Sequence, residues 1–122
     1  MWGSVQAGGG GGGLKYEETL ASATDNTEYT INCGFEPKKI FIYSVVSGSA
    51  CCMIYYDRDN VSQTQYVTSG ATSATLKISK MQNIGDTSGN LGALTAVSST
   101  SFKFALKNRN VITGPVYITA LG

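Results

Sequence analysis

The 122-residue chain contains no histidine. That absence removes Ser-His-Asp and Cys-His catalysis, histidine-ligated metal sites and any imidazole pH switch. Charge is scarce, at 14% of residues, with a formal net charge of +1. So small an excess does not steer a protein to nucleic acid or to acidic lipid. Of three cysteines, Cys51 and Cys52 are adjacent. Neighbours in a strand point to opposite faces, so the three make neither a disulfide framework nor a zinc tetrahedron. Small buried thiols in a reducing cytoplasm are expected. No basic start followed by an apolar run marks a secretory signal, and no stretch approaches the roughly 20 apolar residues that span a bilayer. A soluble chain without membrane insertion is therefore expected.

What is there favours β-structure. Thr, Ser, Gly, Tyr, Val and Ile dominate, while the helix formers Glu, Gln, Arg and Leu are sparse. Branched and aromatic side chains fit a pleated surface, and Gly and Ser supply turns. The length suits one domain able to bury roughly two-thirds of its unfolded surface. The charges are unevenly placed: seven acids and four bases precede Val61, and one acid and five bases follow from there.

The N-terminal segment is unusual. Met1 to Ala7 holds the only tryptophan, Trp2, and Gly8, Gly9, Gly10, Gly11, Gly12 and Gly13 follow. Such a run orders only at a high entropic cost. A flexible or extended arm over 1–13 is expected, with Trp2 and the glycines as a docking element, ahead of a β-sandwich domain over 14–122. It is not a phosphate loop, because Leu14 stands where Lys-Ser/Thr is needed.

Strand-like runs then alternate with turn residues. Leu14 to Leu20 alternates imperfectly, with Glu18 interrupting Leu14, Tyr16 and Leu20. Glu28 to Phe35 alternates cleanly. Lys39 to Val46 and Ala50 to Tyr56 read as a hairpin across Ser47-Gly48-Ser49, and Asp57 to Asn60 as a tight turn. Val61 to Thr68, Thr75 to Ser79, Ala93 to Ser98, Ser101 to Asn108 and Val116 to Leu121 complete the set, with a long polar loop over Lys80 to Gly92. About eight strands predict an all-β, antiparallel sandwich. Two strands are apolar on both faces. A lone sandwich would leave Phe41, Tyr43, Met53 and Tyr55 in water, so these four predict a subunit interface and a homo-oligomer.

No catalytic constellation is legible, and no enzyme activity, metal or cofactor is expected. Two carboxylates would suffice for a glycosidase, yet Glu17, Glu18, Glu28, Asp57, Asp59 and Asp86 read as solvent-face or turn positions. Asp57-Arg58-Asp59-Asn60 fails the EF-hand pattern, which wants a Gly at position six and a Glu at position twelve; Val61 follows Asn60 and no such Gly comes after it. Tyr55, Tyr56 and Tyr66 lie near Arg58, but two aspartates flank it, which argues packing and interface roles rather than nucleic-acid binding. Asp86, Thr87, Ser88 and Asn90 form the longest candidate ligand loop, in competition with a plain solvated connection.

The run Tyr29-Thr30-Ile31 to Gly34-Phe35-Glu36-Pro37-Lys38-Lys39-Ile40-Phe41-Ile42-Tyr43 resembles small β-sandwich virion domains of tailed bacteriophages, as does the ending Ala120-Leu121-Gly122. The resemblance covers Glu28 to Gly122. It rests on a Gly-Phe-x-Pro corner that also has a mechanical reason, since Pro presets φ and Gly permits a sharp entry. It implies a capsid decoration or accessory protein, tail-fibre or baseplate component, assembled in the host cytoplasm into a virion as a trimer or larger ring. Other virion proteins would be its partners. The alternative it implies is a receptor- or carbohydrate-binding module of a tail fibre, with a host surface receptor or glycan as partner. No shaft or coiled-coil segment is present, which favours a decoration protein or small tail component over a whole fibre.

Overall fold

A computed structural model describes residues 3–7, 13–24, 27–46, 50–60, 62–70, 78–86, 92–106 and 115–122, with the backbone alone given for 3–7, 45, 46, 50–52, 68–70 and 78–80. Among these residues there are ten strands and no helix: β1 (Gly3–Ala7), β2 (Leu14–Leu20), β3 (Glu28–Asn32), β4 (Lys39–Val46), β5 (Ala50–Asp57), β6 (Thr64–Gly70), β7 (Ile78–Asn83), β8 (Ala93–Val97), β9 (Ser101–Ala105) and β10 (Val116–Leu121). The larger sheet has the order β1-β2-β10-β4-β5-β6-β7, and the smaller β3-β9-β8. Every neighbouring pair is antiparallel. The chain is an all-β sandwich, as its composition and alternation predict.

The core follows from period-two alternation. From the larger sheet, Ile40 and Ile42 of β4, Ile54 and Tyr56 of β5, Val67 of β6, and Val116, Ile118 and Ala120 of β10 are buried. From the smaller sheet and its flanks come Ile31, Cys33, Phe35, Leu94, Phe102, Phe104 and Leu106. Phe102 and Phe104 are the largest fully buried side chains, each contributing about 1.5–3 kcal/mol by burial. Tyr29 stacks on Phe104 at 5.6 Å between ring centroids. The corner after β3 turns on Gly34, at φ 86°, and its N–H donates to Thr100 O at 3.0 Å. The Cys33 thiol lies 3.1 Å from Phe35 O and 3.5 Å from Thr100 O, and burial pushes its pKa up. Cys33 is thus the buried thiol expected; the side chains of Cys51 and Cys52 lie outside those described.

Several sequence expectations need correction. The strand added to the runs read from the sequence is β1. Gly3–Ala7, expected in the arm, runs as an edge strand in register with β2, from Gly3 opposite Glu18 to Ala7 opposite Leu14. Of the strand expected over Thr75 to Ser79, residues 75–77 lie outside those described, and Ile78 and Ser79 open β7; the loop expected from Lys80 gives way up to Asn83 to β7, which pairs with β6 across an irregularity between Val67 and Thr68. Its apolar alternation is hidden because its inward side chain, Gln82, is polar. Gln82 (3% exposed) sits opposite Gln65 (0%) in the register. Gln65 Oε1 accepts from Leu94 N at 2.6 Å, tying one sheet to the other, and Gln82 Nε2 donates to Asp86 O at 2.8 Å. Glu18 is half-buried rather than solvated, and accepts from the Tyr16 hydroxyl at 2.8 Å. Burial, reinforced by Glu18, pushes Tyr16 up to about 12.

Gly92 and Gly85 both have positive φ, 110° and 91°. A Cβ on Gly92 would lie 2.5 Å from Ala105 O and 2.9 Å from Leu106 Cα; on Gly85 the nearest atom would be Thr95 O at 3.8 Å. Gly85→Ala is therefore expected to cost only the backbone term, about 1–2 kcal/mol. Gly92→Ala should cost at least about 2 kcal/mol more, because backbone on two strands must move. Urea unfolding of the two variants side by side checks the difference.

Candidate functional site

The outer face of the larger sheet carries the four residues expected at an interface, and three more. Register places Phe41 opposite Tyr55 and Tyr43 opposite Met53. Tyr55 is opposite Tyr66, Tyr66 opposite Met81, and Tyr43 opposite Tyr117. The rings are in contact: Phe41–Tyr55 at 4.9 Å, Tyr55–Tyr66 at 6.0 Å and Tyr43–Tyr117 at 6.2 Å between centroids. Such offset pairs contribute beyond their area. With strands about 4.8 Å apart, the patch spans roughly 19 Å from β10 to β7. Met81 and Tyr117 are 56% and 47% exposed, and the other five are half-buried. The missed members had a signal: Tyr117 stands between the inward Val116 and Ile118. What the sequence could not show was that β10 and β6 flank the central hairpin, with β7 beyond β6.

Tyr56, grouped with Tyr55 and Tyr66 in the sequence reading, is instead a core residue, 3% exposed on the opposite face. Burial raises its pKa, with Arg58 opposing. The patch is bounded on one side by charge. Lys15 and Glu17 form an ion pair on β2, and Lys39 lies at the start of β4. Asp57 stands opposite Lys39 at the end of β5, next to Tyr55 on the same face; on the two cross-strand rows that hold the aromatic residues no charged side chain stands between β10 and β7 among the described residues.

The β5–β6 turn is held by Asp57, which is buried rather than the solvated turn residue expected. Its carboxylate accepts from the Tyr55 hydroxyl at 3.1 Å, Asp59 N at 3.1 Å and Asn60 Nδ2 at 2.6 Å. The Asn60 bond, more than the others, holds the Asp57 carboxyl below its usual range. Both oxygens are engaged by the turn itself. Among the described residues no group of three or more His, Cys, Asp or Glu side chains is placed to hold a metal.

Beside this turn a cleft of about 390 Å³ opens between the sheets, lined by Glu36, Tyr56, Arg58, Ser62, Gln63, Ile84, Ala96 and Val97. Arg58 is pinned by Glu36 at 2.8 Å and Asp59 at 3.3 Å, and its N–H donates to Lys38 O at 2.8 Å. The Glu36 bond strengthens the hold of Arg58 on its proton. Gln63 has φ 59°, the only positive value among described non-glycine residues. Its carbonyl accepts from Ile84 N at 2.8 Å, and Gly85 N donates to Leu94 O at 2.9 Å.

Of the candidate ligand loop, Asp86 is partly buried just after β7, with its N–H donating to Asn83 O at 3.0 Å; Thr87, Ser88 and Asn90 lie outside the described residues. So do Trp2 and Gly8 to Gly12 of the expected docking arm. Among the described residues no helix is long and apolar enough to cross a membrane. An all-β sandwich with a continuous aromatic sheet face is the class that fold and site define. Comparison with protein families, curated proteins and solved structures finds no match for the chain.

The lowered pKa of Asp57 fixes a sign. A carboxylate with a folded pKa below its unfolded value contributes stability above the unfolded value, near 3.8, and loses it as pH falls through the folded one. Asp57→Asn is therefore expected to destabilise at neutral pH and to lose less on acidification below pH 3.8 than the parent. Urea midpoints across an acid pH series check it; parallel curves would remove Asp57 from the account.

Proposed function

We propose that the chain is a non-catalytic structural subunit of a tailed-phage virion, a decoration or small tail component, that associates with further copies of itself through the outer face of the larger sheet. The observation that carries self-association is the patch of Phe41, Tyr43, Met53, Tyr55, Tyr66, Met81 and Tyr117. Its centre is free of charge and rich in Tyr, Phe and Met, and ions stand at its margin; interface cores and rims have this anatomy. Exposed apolar patches of this extent are uncommon on monomers. A second copy is the favoured occupant because an isologous contact sets the Met81 end of one patch against the Tyr117 end of the other, bringing flexible thioether onto aromatic rings. The virion setting is supported by the resemblance over Glu28 to Gly122. Within it, Trp2 and the glycines Gly8 to Gly13, on either side of β1, would dock the subunit on the particle.

Light scattering of the full chain is expected to give an oligomer. Tyr66→Lys with Tyr117→Lys should shift it to monomer, weakening association by roughly 30-fold or more for the pair, with unchanged far-ultraviolet circular dichroism. A parent that stays monomeric at high concentration would sink the self-association. Antibody labelling of purified tailed-phage particles from the producing host tests the setting separately: an oligomer that labels no particle would place it elsewhere.

A further inference from the structure

We propose that the cleft between the β5–β6 turn and β8 is a binding site for a neutral, polyhydroxylated ring, a single hexopyranose. The inference does not rest on self-association, since the cleft is formed at the edge between the sheets and shares no residue with the aromatic patch.

Volume sets the size. At about 390 Å³ the cleft lies at the small end of ligand sites, room for one ring and its hydration rather than an extended chain. Charge sets the class. Arg58 is the single cation in the lining, and Glu36 and Asp59 both engage it. An anionic ligand would compete with two carboxylates for one guanidinium, and a cationic one would meet that guanidinium. A neutral ligand with hydroxyls meets neither obstacle. Arg58 has five N–H donors, and the two contacts with Glu36 and Asp59 leave others to offer. Glu36 engages Arg58 through Oε1, and its side chain is half in solvent, so Oε2 can accept.

A second observation points at a ligand independently. Tyr56 is 97% buried, being 3% exposed, and lines the cleft, yet its hydroxyl has no hydrogen-bond partner among the described residues. Buried tyrosine hydroxyls normally find a partner. Its hydroxyl is also not among the solvent-sealed atoms that lack partners, which are Gln65 Nε2 and Gln82 Oε1. The hydroxyl therefore keeps contact with solvent, and Tyr56 lines the cleft. Gln63 adds an amide on a left-handed backbone that glycine would adopt at less strain. Ile84, Ala96 and Val97 supply the apolar surface on which the C–H face of a sugar ring can rest. Donors, acceptors and an apolar floor in one small concavity suit such a ring.

The test is a titration of the full chain with methyl glucoside, methyl galactoside, methyl mannoside and the corresponding free hexoses, followed by amide chemical shifts. Glycerol and inorganic phosphate serve as controls. One sugar is expected to give saturable shifts at Gln63, Ile84, Ala96 and Val97. Comparing glycoside with free sugar separates a chain-terminal ring from a monosaccharide. Tyr56→Phe keeps the core ring and should weaken binding roughly 3- to 10-fold. Gln63→Gly removes the amide while relieving the backbone, so weakened binding with undiminished stability is expected. The proposal is overturned if no sugar shifts these residues, if shifts fall on Tyr66 and Tyr117 instead, or if glycerol matches the sugar. Tighter phosphate binding, or unchanged affinity in Tyr56→Phe, would overturn it as well.

Discussion

Side-chain alternation along β4 and β5 is the constraint on which the rest of the molecule depends. These two central strands are apolar on both faces, and a sandwich has only one inside. Ile40, Ile42, Ile54 and Tyr56 take the inner face and meet Phe102 and Phe104 of the smaller sheet. Phe41, Tyr43, Met53 and Tyr55 are left outward by the same geometry. A slip of one residue would exchange the two sets, so register is fixed by the shape of the smaller sheet rather than by polarity. The aromatic patch is thus a consequence of the folding code of the hairpin, extended by Tyr117 on one side and by Tyr66 and Met81 on the other.

The polar elements solve a different problem. Toward β7 the core runs out of apolar side chains, and Gln65 and Gln82 take its inward positions. A buried amide is tolerable only when bonded. Gln65 meets that condition through its oxygen alone, which reaches across to Leu94 N and joins the sheets by a hydrogen bond instead of packing; its Nε2 and Gln82 Oε1 have no partner among the described residues. Asp57 does comparable work at the turn, where three bonds converge on one carboxylate. Cleft, turn and amide pair form one polar end of a molecule whose other parts are held by alternation.

This division decides what was legible in the sequence. Where period two is clean, in β3, β4, β5, β9 and β10, the strands stand close to the expected positions. Where polar residues occupy inward positions, as in β7, the pattern disappears and a loop was expected instead. β1 was illegible for another reason: Gly3-Ser4-Val5-Gln6-Ala7 has little strand propensity of its own and is defined by pairing with β2. Four members of the outer patch could be named because they share one hairpin. The cleft could not, since Glu36, Tyr56, Gln63, Ile84 and Val97 come from separate stretches and meet only through topology.

A seven-stranded sheet faced by a three-stranded one has an overhang. At about 4.8 Å per strand, the larger sheet is roughly 29 Å wide and the smaller roughly 10 Å. Strands alone therefore cannot roof the whole inner surface, and turns and connections must trim its eaves. Along those eaves the Gln63 turn and the end of β8 meet. Changes of residue there leave the stacked rings beneath untouched, so the margin can vary in chemistry while the roofed part keeps the architecture.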